Sequence, residues 1–242
     1  MTTPSNILKI TNRINKMRKG YIFTSSDFYD IVKDPSIVSR ALKELVEAGT
    51  IRKVGKGKFD KPKQTILGEL PPSVDWMLQS FLTDNKRVIG YITGLAAFAQ
   101  LGLTSQISSS YTIGSNIYRR AIIRGGYTVR FVLQPNTITR ANIPLLQILD
   151  AIRFIKQIPD CTPDEAYIIL RSRISKLTTE ERKQLASLAL AYTSYVRAIM
   201  GAILDELGED TAPLFNSLNP ASSYKIGISS KTLSNKRKWN LK

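Results

Sequence analysis

The sequence contains no histidine, which excludes a Ser–His–Asp triad, an imidazole general base and any histidine-ligated metal. A single cysteine, Cys161, cannot form an intrachain disulfide or a zinc site by itself, and it fits a reducing compartment. No apolar run approaches the ~20 residues of a membrane span, and the opening MTTPSNILKITNRINKMRKG has no apolar signal core. No internal repeat or low-complexity tract is present. These absences predict a soluble cytoplasmic protein with no membrane partner.

Catalytic signatures are lacking as well. The acidic pairs Asp164-Glu165, Glu180-Glu181, Asp205-Glu206 and Glu209-Asp210 sit at helix ends, and none has the partners a metal nuclease needs. Gly55-Lys56-Gly57 lacks the following lysine and hydroxyl of a phosphate-cradling loop. The expectation is a protein that is not an enzyme and uses no cofactor or metal.

What the chain has in excess is positive charge. Its 242 residues carry 35 Lys+Arg against 19 Asp+Glu, a net +16. Such a surplus points to a polyanionic partner, nucleic acid before membrane. It is unevenly placed. Residues 1–70 hold 14 basic and 7 acidic residues, residues 71–224 hold 15 and 12, and the tail 225–242 holds 6 basic residues and no acid. An ordinary body is thus flanked by basic segments.

In the first segment, residues 5–18 place Ile7, Leu8, Ile10, Ile14 and Met17 mostly on one helical face, opposite Lys9, Arg13, Lys16 and Arg18, with Ser5 as cap and Gly20 as stop. A short β-prone Tyr21-Ile22-Phe23 leads into a short helix over about Ser26 to Val32. Asp34-Pro35 then starts the clearest helix, whose stripe Val38, Ala41, Leu42, Leu45 and Val46 faces inward and whose stop is Gly49. Two strands around Gly55-Lys56-Gly57 complete the segment as a hairpin.

Helix, strand, helix, turn, helix, hairpin is the order of a winged helix-turn-helix over residues 1–66. A groove-reading helix needs short polar and basic side chains, which Ser36, Ser39, Arg40 and Lys43 supply. A wing along the backbone needs point charges, which Arg52, Lys53, Lys56, Lys58, Lys61 and Lys63 supply. These predict double-stranded DNA as partner. Winged helices also bind proteins, and a charged helix face is often only solvated, with Glu44 and Glu47 diluting this one.

A linker at Leu70-Pro71-Pro72-Ser73 precedes the body, residues 70–242. Helices are predicted over VDWMLQSFL and from Gly94-Leu95 to Leu101, then strands over about 110–135 bearing Arg119, Arg120, Arg124 and Arg130. Those arginines form either a second basic surface or a guard against edge pairing. Helices occupy about 144–208, the last a continuous run from Glu180 to Leu207 of roughly 40 Å. Thr178 and Glu181 fit a capping box. Its apolar stripe is core or, less simply, a partner groove. The tail 225–242 ends near Trp239 and either docks or stays solvated. The fold class is α+β, a winged helix-turn-helix followed by a mixed α/β body with a helical C-terminal part.

GYIFTSSDF, SRALKELVEAGTIRKVGKGKFD, the Gly94-Leu95-Ala96-Ala97 helix and the arginine-bearing strands together resemble the AbiEi-type antitoxins of type IV toxin–antitoxin systems, best over about residues 18–150 and more weakly in the helical part. The resemblance implies a bacterial repressor and antitoxin that binds inverted repeats in its own promoter and counters a co-encoded nucleotidyltransferase-like toxin. It implies base reading by Ser36, Ser39, Arg40 and Lys43 and phosphate contact by Lys53, Lys56 and Lys58. Two other readings stay open: a winged-helix regulator sensing a small ligand in the body, and a protein-interaction adaptor.

Overall fold

The structure, a computed structural model, describes residues 6–55, 57–65, 68–70, 74–84, 87–124 and 127–242. The expected cap Ser5, the wing residue Lys56, Pro71-Pro72-Ser73 of the linker and the Gly125-Gly126 turn lie outside them. The chain is a mixed α+β protein that divides into two units, Met1–Ser80 and Phe81–Lys242. That division falls later than the linker expected near residue 70, inside a helix.

The first unit runs α1 (Asn6–Lys16), β1 (Ile22–Thr24), a single 3-10 turn (Ser25–Phe28), α2 (Pro35–Glu47), β2 (Arg52–Gly55), β3 (Lys58–Asp60), β4 (Lys63–Thr65) and β5 (Gly68–Leu70), then α3 (Val74–Leu82). β1, β3 and β2 form an antiparallel sheet in that order, and β4 pairs with β5. Its core joins Ile10 and Ile14 of α1 and Phe23 of β1 to Phe28, Val38, Ala41, Leu42, Leu45 and Ile51. Phe28 meets Phe23 edge-on at 5.5 Å, a favoured aromatic geometry. Ile7 and Leu8, expected on the inward face of α1, are exposed. The helix expected over Ser26–Val32 is only the 3-10 turn: its first turn is fixed by Asp27, which accepts from the Thr24 amide at 2.7 Å, and the next helix already starts at Pro35.

The second unit continues with β6 (Thr83–Asp84), β7 (Arg87–Val88), β8 (Gly90–Thr93), α4 (Leu95–Gln100), β9 (Ser110–Ser115), β10 (Ile122–Arg124) and β11 (Tyr127–Leu133). Helices follow: α5 (Ile143–Arg153), a 3-10 turn (Ile155–Gln157), α6 (Pro163–Ser175), α7 (Thr179–Ala189), α8 (Ser194–Glu206) and α9 (Ala212–Asn216). Its main sheet has the order β10-β11-β9-β8, with β11 parallel to β9 and the other pairs antiparallel. The core is mostly helical, from Leu145–Ile152 of α5 through Tyr167 and Leu170 of α6 to Val196–Leu204 of α8.

The continuous helix expected from Glu180 to Leu207 is broken into α7 and α8. Thr178 and Glu181 form the expected capping box at the start of α7, with the Thr178 amide donating to Glu181 at 2.8 Å. Leu190, Ala191 and Tyr192 then turn, and Thr193 takes an extended backbone (φ −62°, ψ 154°) that starts α8. The Tyr192 hydroxyl in this turn donates to the buried Asp150 at 3.0 Å. The apolar spacing reads as one helix because both pieces face one core: Leu185, Val196, Ile199 and Ile203 are all buried.

The tail docks. The Tyr224 amide donates to the Asn240 carbonyl and the Lys242 amide to the Tyr224 carbonyl, at 2.8 and 2.7 Å, and Trp239 is fully buried. Among the described residues no helix is long and apolar enough to cross a membrane.

Candidate nucleic-acid interface

The first unit's exposed cations are arranged by α2 and the β2–β3 hairpin. α2 begins where Asp34 accepts from the Ser36 amide at 2.8 Å and the Ser36 hydroxyl at 2.7 Å, while Pro35 presets the first turn. These two hydrogen bonds hold the Asp34 carboxyl below its ordinary range. It stops at Gly49, whose φ of +70° closes the helix and lets the Thr50 amide reach the Leu45 carbonyl at 3.0 Å. With Val38, Ala41, Leu42 and Leu45 buried, the opposite face necessarily presents Ser36, Ser39, Arg40 and Lys43, all exposed.

Arg40 and Lys43 each have a glutamate one turn on. Arg40 Nε donates to Glu44 at 3.1 Å, and Lys43 Nζ lies 3.8 Å from Glu47. Exposed pairs of this spacing are worth about 0.3–0.5 kcal/mol, so a phosphate or base edge readily replaces the carboxylate.

The hairpin residues divide in role. Lys53 is exposed and Lys58 half-buried. Arg52, expected on the phosphate row, is instead closed on Asp60 across the hairpin, Nε to Oδ1 at 3.1 Å and Nη2 to Oδ2 at 2.7 Å, with Asp60 fully buried. Its position opposite Asp60 in the β2–β3 register makes that bidentate grip. Lys61 likewise turns inward, donating to the Asn15 carbonyl at 2.9 Å at the end of α1. On α1 itself Arg13 pairs with Asp30 and holds that carboxyl below its usual range.

Three of the four strand arginines of the second unit can be placed, the side chain of Arg124 lying outside the described residues. Arg119 lies over Phe81 and Phe131, 5.7 and 5.9 Å from the ring centres, and Arg130 donates to the Ser110 hydroxyl at 3.1 Å. Arg120 is exposed.

Sequence reasoning missed a buried polar centre in this unit. The Asp150 carboxylate accepts from the hydroxyls of Tyr91 (2.6 Å), Thr93 (2.7 Å) and Tyr192 (3.0 Å), and Gln134 Nε2 donates to both tyrosine oxygens at 2.7 Å. Burial pushes Asp150 above its ordinary value although those hydroxyls pull it down, and both tyrosines are raised, chiefly by burial and then by the Asp150 charge. One signal was available: Asp150 stands one turn after Leu146 and next to Leu149, on the apolar stripe of α5. With its polar atoms paired among residues of β8, α5, the chain just after β11 and the turn between α7 and α8, the cluster ties sheet to helices rather than facing a ligand. Among the described residues no group of three or more Cys, Asp and Glu could hold a metal ion.

No curated protein matches the chain. A crystal structure of the RV2827C protein from Mycobacterium tuberculosis is similar over 92% of this chain and 85% of that one, at 13% identity and a TM-score of 0.47, too slight a likeness to carry an argument. A family model described as a family of unknown function, DUF6088, matches residues 9–184, from α1 into α7. Over that span, which takes in the α2 face, the hairpin and the four-stranded sheet, the chain belongs to the DUF6088 family.

Proposed function

We propose that the first unit is a winged helix-turn-helix that binds double-stranded DNA, α2 entering the major groove and the β2–β3 hairpin serving as its wing. The observation that carries this reading is the α2 face: Ser36, Ser39, Arg40 and Lys43 stand exposed on a helix whose other side is fixed in the core. A rigid helix with short polar and forked cationic side chains has the groove-reading chemistry. Lys53 and Lys58, with Lys56 by its place in the sequence, supply phosphate contacts, while Arg52 holds the hairpin in shape through Asp60.

The resemblance to AbiEi-type antitoxins extends the proposal. The DNA is then the inverted repeats of the chain's own promoter, the protein a cytoplasmic repressor, and the rest of the chain the part that counters a nucleotidyltransferase-like toxin. The surplus of positive charge over residues 1–70 supports the DNA half. The test is the Arg40→Ala/Lys43→Ala variant of the full chain against a labelled fragment of that promoter. Loss of specific binding tenfold or more, with unchanged thermal unfolding, is expected. Undiminished binding would reject α2 as the reading helix.

A further inference from the structure

The four-stranded sheet of the second unit has an edge that nothing among the described strands covers. β10 hydrogen-bonds β11 on one side, and no described strand pairs with its other side. β10 and the five residues before it, Ile-Tyr-Arg-Arg-Ala-Ile-Ile-Arg over 117–124, carry three arginines and no acid. Its large apolar side chains point to solvent: Ile123 is 81%, Tyr118 77% and Ile117 63% exposed.

Edge arginines alone have a sufficient explanation, because charge on a short outer strand discourages unwanted pairing. The apolar side chains have none, since an edge built only to repel does not carry exposed isoleucines on both sides of an exposed tyrosine. Arg119 is already held over Phe81 and Phe131, which anchors the approach to β10 while Arg120 stays exposed.

We propose that β10 and the segment before it take an extended, acidic segment of a partner protein as an added strand. Main-chain pairing would satisfy the open edge, alternate apolar residues would cover Ile117, Tyr118 and Ile123, and acidic ones would meet the arginines. Charge selects this occupant over a second copy, which would bring the same arginine-bearing, acid-free stretch against itself. It is favoured over a DNA duplex because phosphates offer nothing to bury three large apolar side chains against. The inference stands apart from the DNA-binding reading, which concerns the first unit.

The experiment uses the full chain and three fluorescein-labelled ten-residue peptides: one alternating Glu with Val, one with Lys in place of Glu, and one with the Glu and Val residues in separate blocks. Anisotropy reports affinity and hydrogen exchange reports protection of residues 117–124. The alternating acidic peptide is expected to bind and to protect that stretch, with affinity falling tenfold or more in Ile123→Lys and in Arg120→Glu. Both positions are exposed, and unchanged thermal unfolding would show the variants folded. Failure of that peptide to bind, or equal binding of the block peptide, would overturn the proposal. So would a wild-type dimer that Ile123→Lys splits, which would make a second copy the occupant. Loss of duplex DNA binding in both variants, with no peptide effect, would reassign the edge to nucleic acid.

Discussion

The indole of Trp239 packs against the α-carbon of Gly201. A Cβ built on that glycine would lie 2.7 Å from Cε3 and closer still to Cζ3 and Cη2, so only a residue without a side chain admits the ring there. Phe215 meets the indole edge-on at 5.6 Å, and Asp205, one turn along α8, accepts from the Asn235 amide at 2.8 Å and Lys238 Nζ at 2.6 Å. The tail is thereby fastened to α8 by one aromatic side chain and one carboxylate.

Trp239→Ala should destabilise the second unit by about 3–5 kcal/mol, the usual cost of emptying so large a site. Gly201→Ala should also destabilise the wild type, by about 1–3 kcal/mol, through the forced displacement of the ring. In the Trp239→Ala background the same change should reverse sign and stabilise by about 0.5–1 kcal/mol, because alanine is then simply the better helix residue. Denaturant unfolding of the four chains checks this. Additive effects would show that the two residues do not meet.

Arg52 and Lys53 are neighbours with opposite assignments. Arg52→Ala leaves the Asp60 carboxylate buried without its forked partner and should cost about 2–4 kcal/mol, toward the low side for a buried pair because Arg52 itself reaches solvent. Lys53→Ala, on an exposed side chain, should change stability by less than about 0.5 kcal/mol and act only on DNA affinity. Unfolding and DNA titrations on the two variants separate the roles. Equal destabilisation would contradict them.

Asp150 gives a pH dependence of defined sign. Its folded value is raised by burial, so its contribution to stability is complete below the unfolded aspartate value, about 3.9, and is lost as pH rises through the folded value. Asp150→Asn is fixed in the neutral state and lacks that loss. The stability of the wild type relative to Asp150→Asn should therefore fall as pH goes from about 4 towards 7, whatever constant offset the amide adds. Unfolding curves across that range measure it, and a difference independent of pH would refute the assignment.

The parts legible in the sequence are those set by neighbours along the chain. Asp34-Pro35 and Gly49 bound α2 because a cap, a fixed φ and a left-handed stop are local devices, and Thr178 with Glu181 mark α7 for the same reason. The exposed residues of α2 follow from the buried ones by helical periodicity alone. What the sequence hides depends on distant partners. The break between α7 and α8 is invisible because Leu185, Val196 and Ile203 keep helical spacing across it, while Asp150, the partner of Tyr192 in the turn, lies far off in the chain on α5. The removal of Arg52 from the phosphate row needs the register that sets Asp60 opposite it. The docking of Trp239 needs Gly201, which reads in the sequence as an ordinary small residue of α8.

Sequence-specific DNA binding by the face of α2 is tested by titration of a labelled fragment of the gene's own upstream region, with unrelated DNA as competitor, at two salt concentrations. Binding should survive the competitor and weaken with salt, log K falling against log salt by about 0.9 for each phosphate contacted. Lys53→Ala should lower that slope by about one contact, whereas Arg40→Ala should erode the preference for the upstream fragment. Equal, weak binding to both DNAs, unchanged by Arg40→Ala, would contradict sequence reading by α2.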